Sequence, residues 1–137
     1  TRGFVQPGQM YIRNRSRRAR VIELWATLKY LGSEGVDELV FGLHERAVQF
    51  ATELKEQRFD VINDVVFNQV LIGFDRDDSY TLGIVNHIQN SGDCWVGTSE
   101  WNGKKVIRIS VCPWATTEND VTRSVKAFRA ARTAMDD

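Results

Sequence analysis

"CWVGTSEWNGKKVIRISVCPWATTENDV", residues 94 to 121, is the stretch that decides the fold. Two β-rich runs, 94–101 and 104–111, flank Asn102-Gly103. An Asn-Gly pair between such runs predicts a tight hairpin, because both residues tolerate the positive φ that a two-residue turn requires. A few residues later Thr117 stands three positions before Asp120. That spacing approximates a capping box and predicts a helix start. The second strand carries an oddity. Alternation puts Ile107, Ile109 and Val111 on one face and Val106, Arg108 and Ser110 on the other. A buried guanidinium without a partner costs several kcal/mol, so Arg108 is either exposed or paired. Two readings stay open at this point. Arg108 is an arginine on the solvent face of a half-exposed sheet, or it is a planar fork that grips a carboxylate at two points.

Working outward, residues 1–16 read as irregular, with a turn at Pro7-Gly8. From Arg17 the pattern becomes helical. Val21, Leu24, Trp25 and Leu28 fall at i, i+3, i+4, i+7, and Gly32 is a natural terminator. Val36, Leu39, Val40, Leu43, Ala47, Phe50, Ala51 and Leu54 form the stripe of a second helix. "FDVIND" (59–64) and "FNQVLIGF" (67–74) turn β-branched and predict two short strands. Ser79 is the expected cap of a helix whose apolar face is Thr81, Ile84, Val85 and Ile88, with Gly92 at its end. Val121, Val125, Phe128, Ala131 and Met135 predict the buried face of the last helix. The order α-α-β-β-α-β-β-α predicts an α+β domain over residues 17–137. It has a small antiparallel or mixed sheet with helices on one face.

Composition sets limits. A chain of 137 residues with a hydrophobic fraction of 42% fits one domain with a real core. Eighteen basic and eighteen acidic side chains cancel, so no whole-chain field recruits nucleic acid or an anionic membrane. The expectation is a chain with no signal segment and no membrane span, located in the cytoplasm, where Cys94 and Cys112 stay reduced.

Few motifs carry chemistry on their own. There is no glycine-rich phosphate loop, no G-x-S-x-G elbow, no H-E-x-x-H and no zinc spacing. His44 and His87 read as helix-surface residues. "DRDD" at 75–78 lacks the ligand spacing of a calcium loop and reads as a solvated turn. Arg13, Arg15, Arg17, Arg18 and Arg20 could bind phosphate, or simply solvate the entry to a helix.

A family resemblance adds to this. "SRRARVIELWATLKYLGSEGVDELV" (16–40) resembles the segment after the catalytic domain in group II pyridoxal-phosphate-dependent amino-acid decarboxylases. These include the glutamate, aromatic amino acid, tyrosine and diaminobutyrate decarboxylases. "INDVVFNQVLIGF" (62–74), "HIQNSGDCWVGTSEWNGKKVIRISVCPWATTENDV" (87–121) and the last helix continue the match in order, over roughly residues 13–135. The leucine/tryptophan helix and the R-I-S-V strand with its T-T-x-x-D helix start are specific together.

The resemblance implies a part of an enzyme: the small C-terminal domain of a fold type I enzyme, which closes one side of the active site. The family's cofactor lysine lies in a Ser/Asn-x-His-Lys motif of a large domain. None of Lys29, Lys55, Lys104, Lys105 and Lys126 follows a histidine, so the resemblance implies a chain that binds no pyridoxal phosphate covalently and is inactive alone. It further implies that Arg108 stands where the family binds the substrate α-carboxylate. It places Arg17 and Arg18 at the domain junction or substrate entrance, and Trp95 and Thr98 on the matching hairpin strand. "GTSEW" departs there from the family's commoner glycine-rich form. The implied partners are the large domain, an amino-acid substrate and a second subunit, with no nucleic acid and no membrane. Two other readings compete: a stand-alone carboxylate-binding or protein-interaction module, and a sheet-type RNA binder. The balanced charge and the lack of paired aromatics on the hairpin argue against the RNA binder.

Overall fold

The structure is a computed structural model that describes residues 20–137. The chain divides into two compact units, Thr1–Val36 and Asp37–Asp137. Arg13, Arg15, Arg17 and Arg18 lie outside the described residues.

Helix α1 is Arg20–Glu56. Gly32 breaks its regular backbone, with φ 66 and ψ −175. The expected terminator therefore acts, but it separates two helical stretches by a single residue rather than by a loop. In the first unit the expected apolar stripe is open: Val21, Leu24, Trp25 and Leu28 are all exposed. In the second unit the α1 stripe is buried only towards its end, at Ala47, Phe50, Ala51 and Leu54.

The other elements are β1 (Asp60–Val61), β2 (Gln69–Gly73), α2 (Asp78–Ser91), β3 (Gly97–Trp101), β4 (Lys104–Ser110) and α3 (Glu118–Asp136). The four strands form one sheet, in the order β1-β2-β4-β3, and every pairing is antiparallel. The first predicted strand shrinks to two residues, because Asn63 leaves the ladder. Its side chain accepts from Leu71 N–H at 2.8 Å and donates to the Gln69 carbonyl at 3.1 Å, taking a strand's place with an amide.

The caps follow their sequences with one correction. Asp77, not Ser79, caps α2: its carboxylate accepts from Tyr80 N–H, and Ser79 Oγ donates to it at 2.8 Å. A carboxylate accepts more strongly than a hydroxyl and also suits the positive end of the helix dipole. Gly92 ends α2 in the left-handed conformation. Thr117 and Asp120 form a full capping box on α3. Backbone and side-chain hydrogen bonds from Thr117 hold the Asp120 carboxyl below the usual carboxylate range. Asn102 and Gly103 have φ 50 and 76, the two left-handed residues that the hairpin turn demands.

The main core of the second unit lies on one side of the sheet. Val70, Ile72, Val96, Ile107, Ile109 and Val111 meet Ala47, Phe50 and Leu54 of α1, Ile84, Val85 and Ile88 of α2, and Val121, Val125 and Phe128 of α3. Phe59 packs edge-on against Phe128 and Phe74, with ring centroids 5.8 and 6.2 Å apart. Met135, expected in the core, is half-buried and reaches over Gly83. Among the described residues no helix is long and apolar enough to cross a membrane.

Candidate functional site

The face of the sheet turned away from the helices is the candidate site. Strand β4 lies between β2 and β3, so its side chains stand at the middle of that face. Arg108 pairs across to Leu71 on β2 and Gly97 on β3. Its chain neighbours Ile107 and Ile109 point into the core and are buried. Strand alternation then forces Arg108 outward, and it is exposed. It has no hydrogen bond or ion pair among the described residues. Of the two possibilities left by the sequence, exposure therefore holds and internal pairing does not. The surroundings of this charge are mostly uncharged: Leu71, Gly97 and Ser99 are half-buried, and Val106 is buried in a shallow recess shared with Ile62 and Trp101. Lys104, on the same face, is already engaged with Asp75 at 3.7 Å.

The other residues singled out from sequence separate. Trp95 is 78% exposed and precedes β3 on the open side, while Val96 turns into the core. Thr98 pairs across to Ile107, so its side chain lies on the helix face and away from Arg108. His44 Nδ1 lies 2.9 Å from the Phe67 carbonyl oxygen and ties α1 to the loop before β2. His87 is exposed on α2, as expected. The acidic turn serves local structure. Asp75 meets Lys104, Asp77 caps α2, and Asp78 accepts from Lys105 N–H at 2.9 Å. No group of three or more metal-ligating side chains forms among the described residues.

A cavity that no sequence pattern announced opens at the end of the sheet. It measures about 490 Å³ and is lined by Trp95, Cys94, Ser110, Val111, Pro113 and Arg123, among others. Arg123 stands at its side between Asp93 (3.8 Å) and Asp120 (3.7 Å). Burial pushes the Cys94 thiol up, which makes it a weak nucleophile at neutral pH. These residues come from three separate segments, so only the folded chain shows them as one place.

Comparison with known proteins gives this geometry a setting. No family model matches the chain. The chain is 26% identical over 106 residues to 3,4-dihydroxyphenylacetaldehyde synthase of Drosophila melanogaster, covering 77% of this chain and 21% of that protein. It is 26% identical over 127 residues to tyrosine decarboxylase 2 of Narcissus pseudonarcissus, covering 87% and 25%. Its fold superimposes on the crystal structure of Oryza sativa TDC with PLP and tryptamine with a TM-score of 0.78 at 19% identity, covering 88% of this chain and 28% of that one. The chain thus spans about a quarter of the length of the relatives it matches. In fold, and in the order of its sequence, it is similar to the C-terminal part of the fold type I, group II pyridoxal-phosphate decarboxylases.

Proposed function

We propose that this chain is the C-terminal small domain of a pyridoxal-phosphate-dependent amino-acid decarboxylase, and that Arg108 holds the substrate α-carboxylate. One observation carries the reading. A guanidinium with no partner among the described residues stands at the centre of the sheet face that the helices leave open. Water satisfies this exposed guanidinium, and no described residue engages it, so it is free to take a carboxylate brought from elsewhere. An arginine suits that task because its planar fork meets both carboxylate oxygens and so fixes orientation as well as position. Orientation matters for decarboxylation, since the bond to be broken must stand perpendicular to the π-system that takes its electrons. The cofactor ring supplies that π-system when bound. The residues of this chain do not fit the cofactor itself. None of its five lysines follows a histidine, and Lys104, which shares the open face with Arg108, is a solvent-exposed side chain in a surface ion pair with Asp75. We therefore place pyridoxal phosphate on a large domain, with this chain contributing the carboxylate contact and closing the site, and inactive alone.

The same reading places Arg17, Arg18 and Trp95 near the domain junction or substrate entrance. It makes the working unit a cytoplasmic homodimer, with no nucleic acid and no membrane among its partners. Two free thiols, Cys94 and Cys112, suit a reducing compartment. Thr98 is the weakest member of the set, because the register puts it on the face opposite Arg108, where it is exposed.

The first test is the mass of the native polypeptide, read with an antibody against this domain in extracts of the source cells. A band several times heavier than 15.7 kDa is expected. A band at 15.7 kDa overturns the decarboxylase reading and favours a stand-alone carboxylate-binding or protein-interaction module. The second test is Arg108→Ala in the holoenzyme. Substrate binding and turnover should fall while cofactor loading, read from its absorbance, stays intact. Normal decarboxylation by this variant removes Arg108 from the carboxylate role.

A further inference from the structure

We propose that position 97 is a positioning site for Arg108: a side chain no larger than alanine there leaves room for the guanidinium to lie towards β3, and a larger one displaces it. This rests on the reading of Arg108 as the carboxylate holder. The register places Gly97 directly opposite Arg108 on the open face. A Cβ built at Gly97 would stand 3.9 Å from Arg108 Nη2 and within 4 Å of no other heavy atom outside its chain neighbours. The guanidinium therefore leans towards β3, and its terminal nitrogen borders the space that a side chain at 97 would occupy.

Nothing in the backbone asks for glycine here. Gly32, Gly92 and Gly103 have positive φ, and Gly97 does not. Gly97 is the first residue of β3, an edge strand, so the position itself does not require glycine either. The β3–β4 ladder starts at Gly97 and runs without interruption to Trp101. The neighbour a side chain at 97 would meet is the Arg108 fork, whose Nη2 lies at ordinary contact distance from a Cβ there. The distance also grades the effect of substitution. Alanine would make an ordinary van der Waals contact with Nη2 at 3.9 Å. A β-branched residue would extend γ-carbons past that point and displace the nitrogen from the plane in which it meets a carboxylate.

The test is a double-mutant cycle in the holoenzyme that carries this chain, with L-tyrosine, L-tryptophan, L-glutamate and L-2,4-diaminobutyrate as substrates. Gly97→Ala should stay near the unsubstituted enzyme. Gly97→Val should lower kcat/KM on the order of a hundredfold, the scale of a misplacement of about 1 Å in a positioning group. The pair Gly97→Val with Arg108→Ala should be no worse than Arg108→Ala alone, because residues that act as a unit are not additive. Cofactor absorbance and thermal unfolding should not change. Should Gly97→Val fail to fold, Gly97→Ser reads the same non-additive pattern with a smaller loss. Three results overturn the inference, and they are distinguishable. Normal kinetics in Gly97→Val beside an impaired Arg108→Ala refutes the role of Gly97 alone. Additive losses in the double variant show that Gly97 acts independently of Arg108. Normal kinetics in Arg108→Ala removes the reading beneath it.

Discussion

The two faces of the sheet are built from the same strands, residue by residue in alternation, yet they obey different constraints. On the helix face Val70, Ile72, Ile107 and Ile109 are buried in one core cluster with residues of the helices. On the open face Gln69, Arg108 and Ser110 are exposed, and Gly97 and Ser99 are small. Ile107 and Arg108 are covalent neighbours, and a rotation of one residue exchanges their surroundings. Volume is the constraint on the first face, since deleting buried atoms leaves a cavity. On the second the constraint is access: a charge is useful there only while nothing within the chain neutralises it. The difference teaches where to look for function in a small α+β unit. It lies on the face whose composition the core does not explain.

The comparison is most easily broken on the helix face. Phe128 is fully buried against Phe59. Phe128→Ala should cost about 3–5 kcal/mol in urea unfolding, and Ile107→Ala about 2–5 kcal/mol. Losses near zero at both would mean that the helices do not rest on this sheet as tightly as the burial indicates.

The fold of the second unit was legible from residue 69 onward because local signals agreed with tertiary ones. Asn102-Gly103, Thr117 with Asp120, and the alternation through β4 each point to one structure. The first unit is a different case. Val21, Leu24, Trp25 and Leu28 have helical spacing, and the helix forms, but periodicity says nothing about what covers the stripe. The N-cap of α2 was misplaced by two residues because Asp77 and Ser79 are both good caps. Of the site, Arg108 was visible as a charge inside an apolar run. The cavity beside Arg123 was not visible, since Cys94, Ser110 and Arg123 meet only through folding. Neither was the separation of Thr98 from Arg108, although a strict reading of alternation on β3 contains it.

The hairpin and the α3 cap give middle-sized effects. Gly103 has φ 76, so Gly103→Val should cost about 1–2 kcal/mol through left-handed strain. Thr117→Ala removes a capping oxygen and should cost about 1 kcal/mol. Its partner gives the pH dependence. Asp120 has a lowered folded pKa, so its contribution is fully present above the ordinary aspartate value of about 3.9. That contribution is lost as pH falls through the folded value. Asp120→Asn should therefore flatten the acid limb of a stability–pH curve measured below about pH 4. An unchanged acid limb would mean that the capping box does not persist in solution.

The smallest effect is the most telling. Arg108→Ala should change unfolding stability by no more than about 0.5 kcal/mol, because among the described residues the substitution breaks no ion pair or hydrogen bond and creates no buried cavity. Arg108→Lys should be equally silent in unfolding. In the holoenzyme the two should differ from the natural residue for one reason, that neither offers the planar fork; lysine restores charge alone. Silence in stability together with loss in binding is the signature expected of a residue retained for an external partner. If Arg108→Ala instead destabilises the chain as much as Thr117→Ala does, the guanidinium is bracing β3 against β4. The open face would then belong to the scaffold, and the division between the two faces would be one of exposure only.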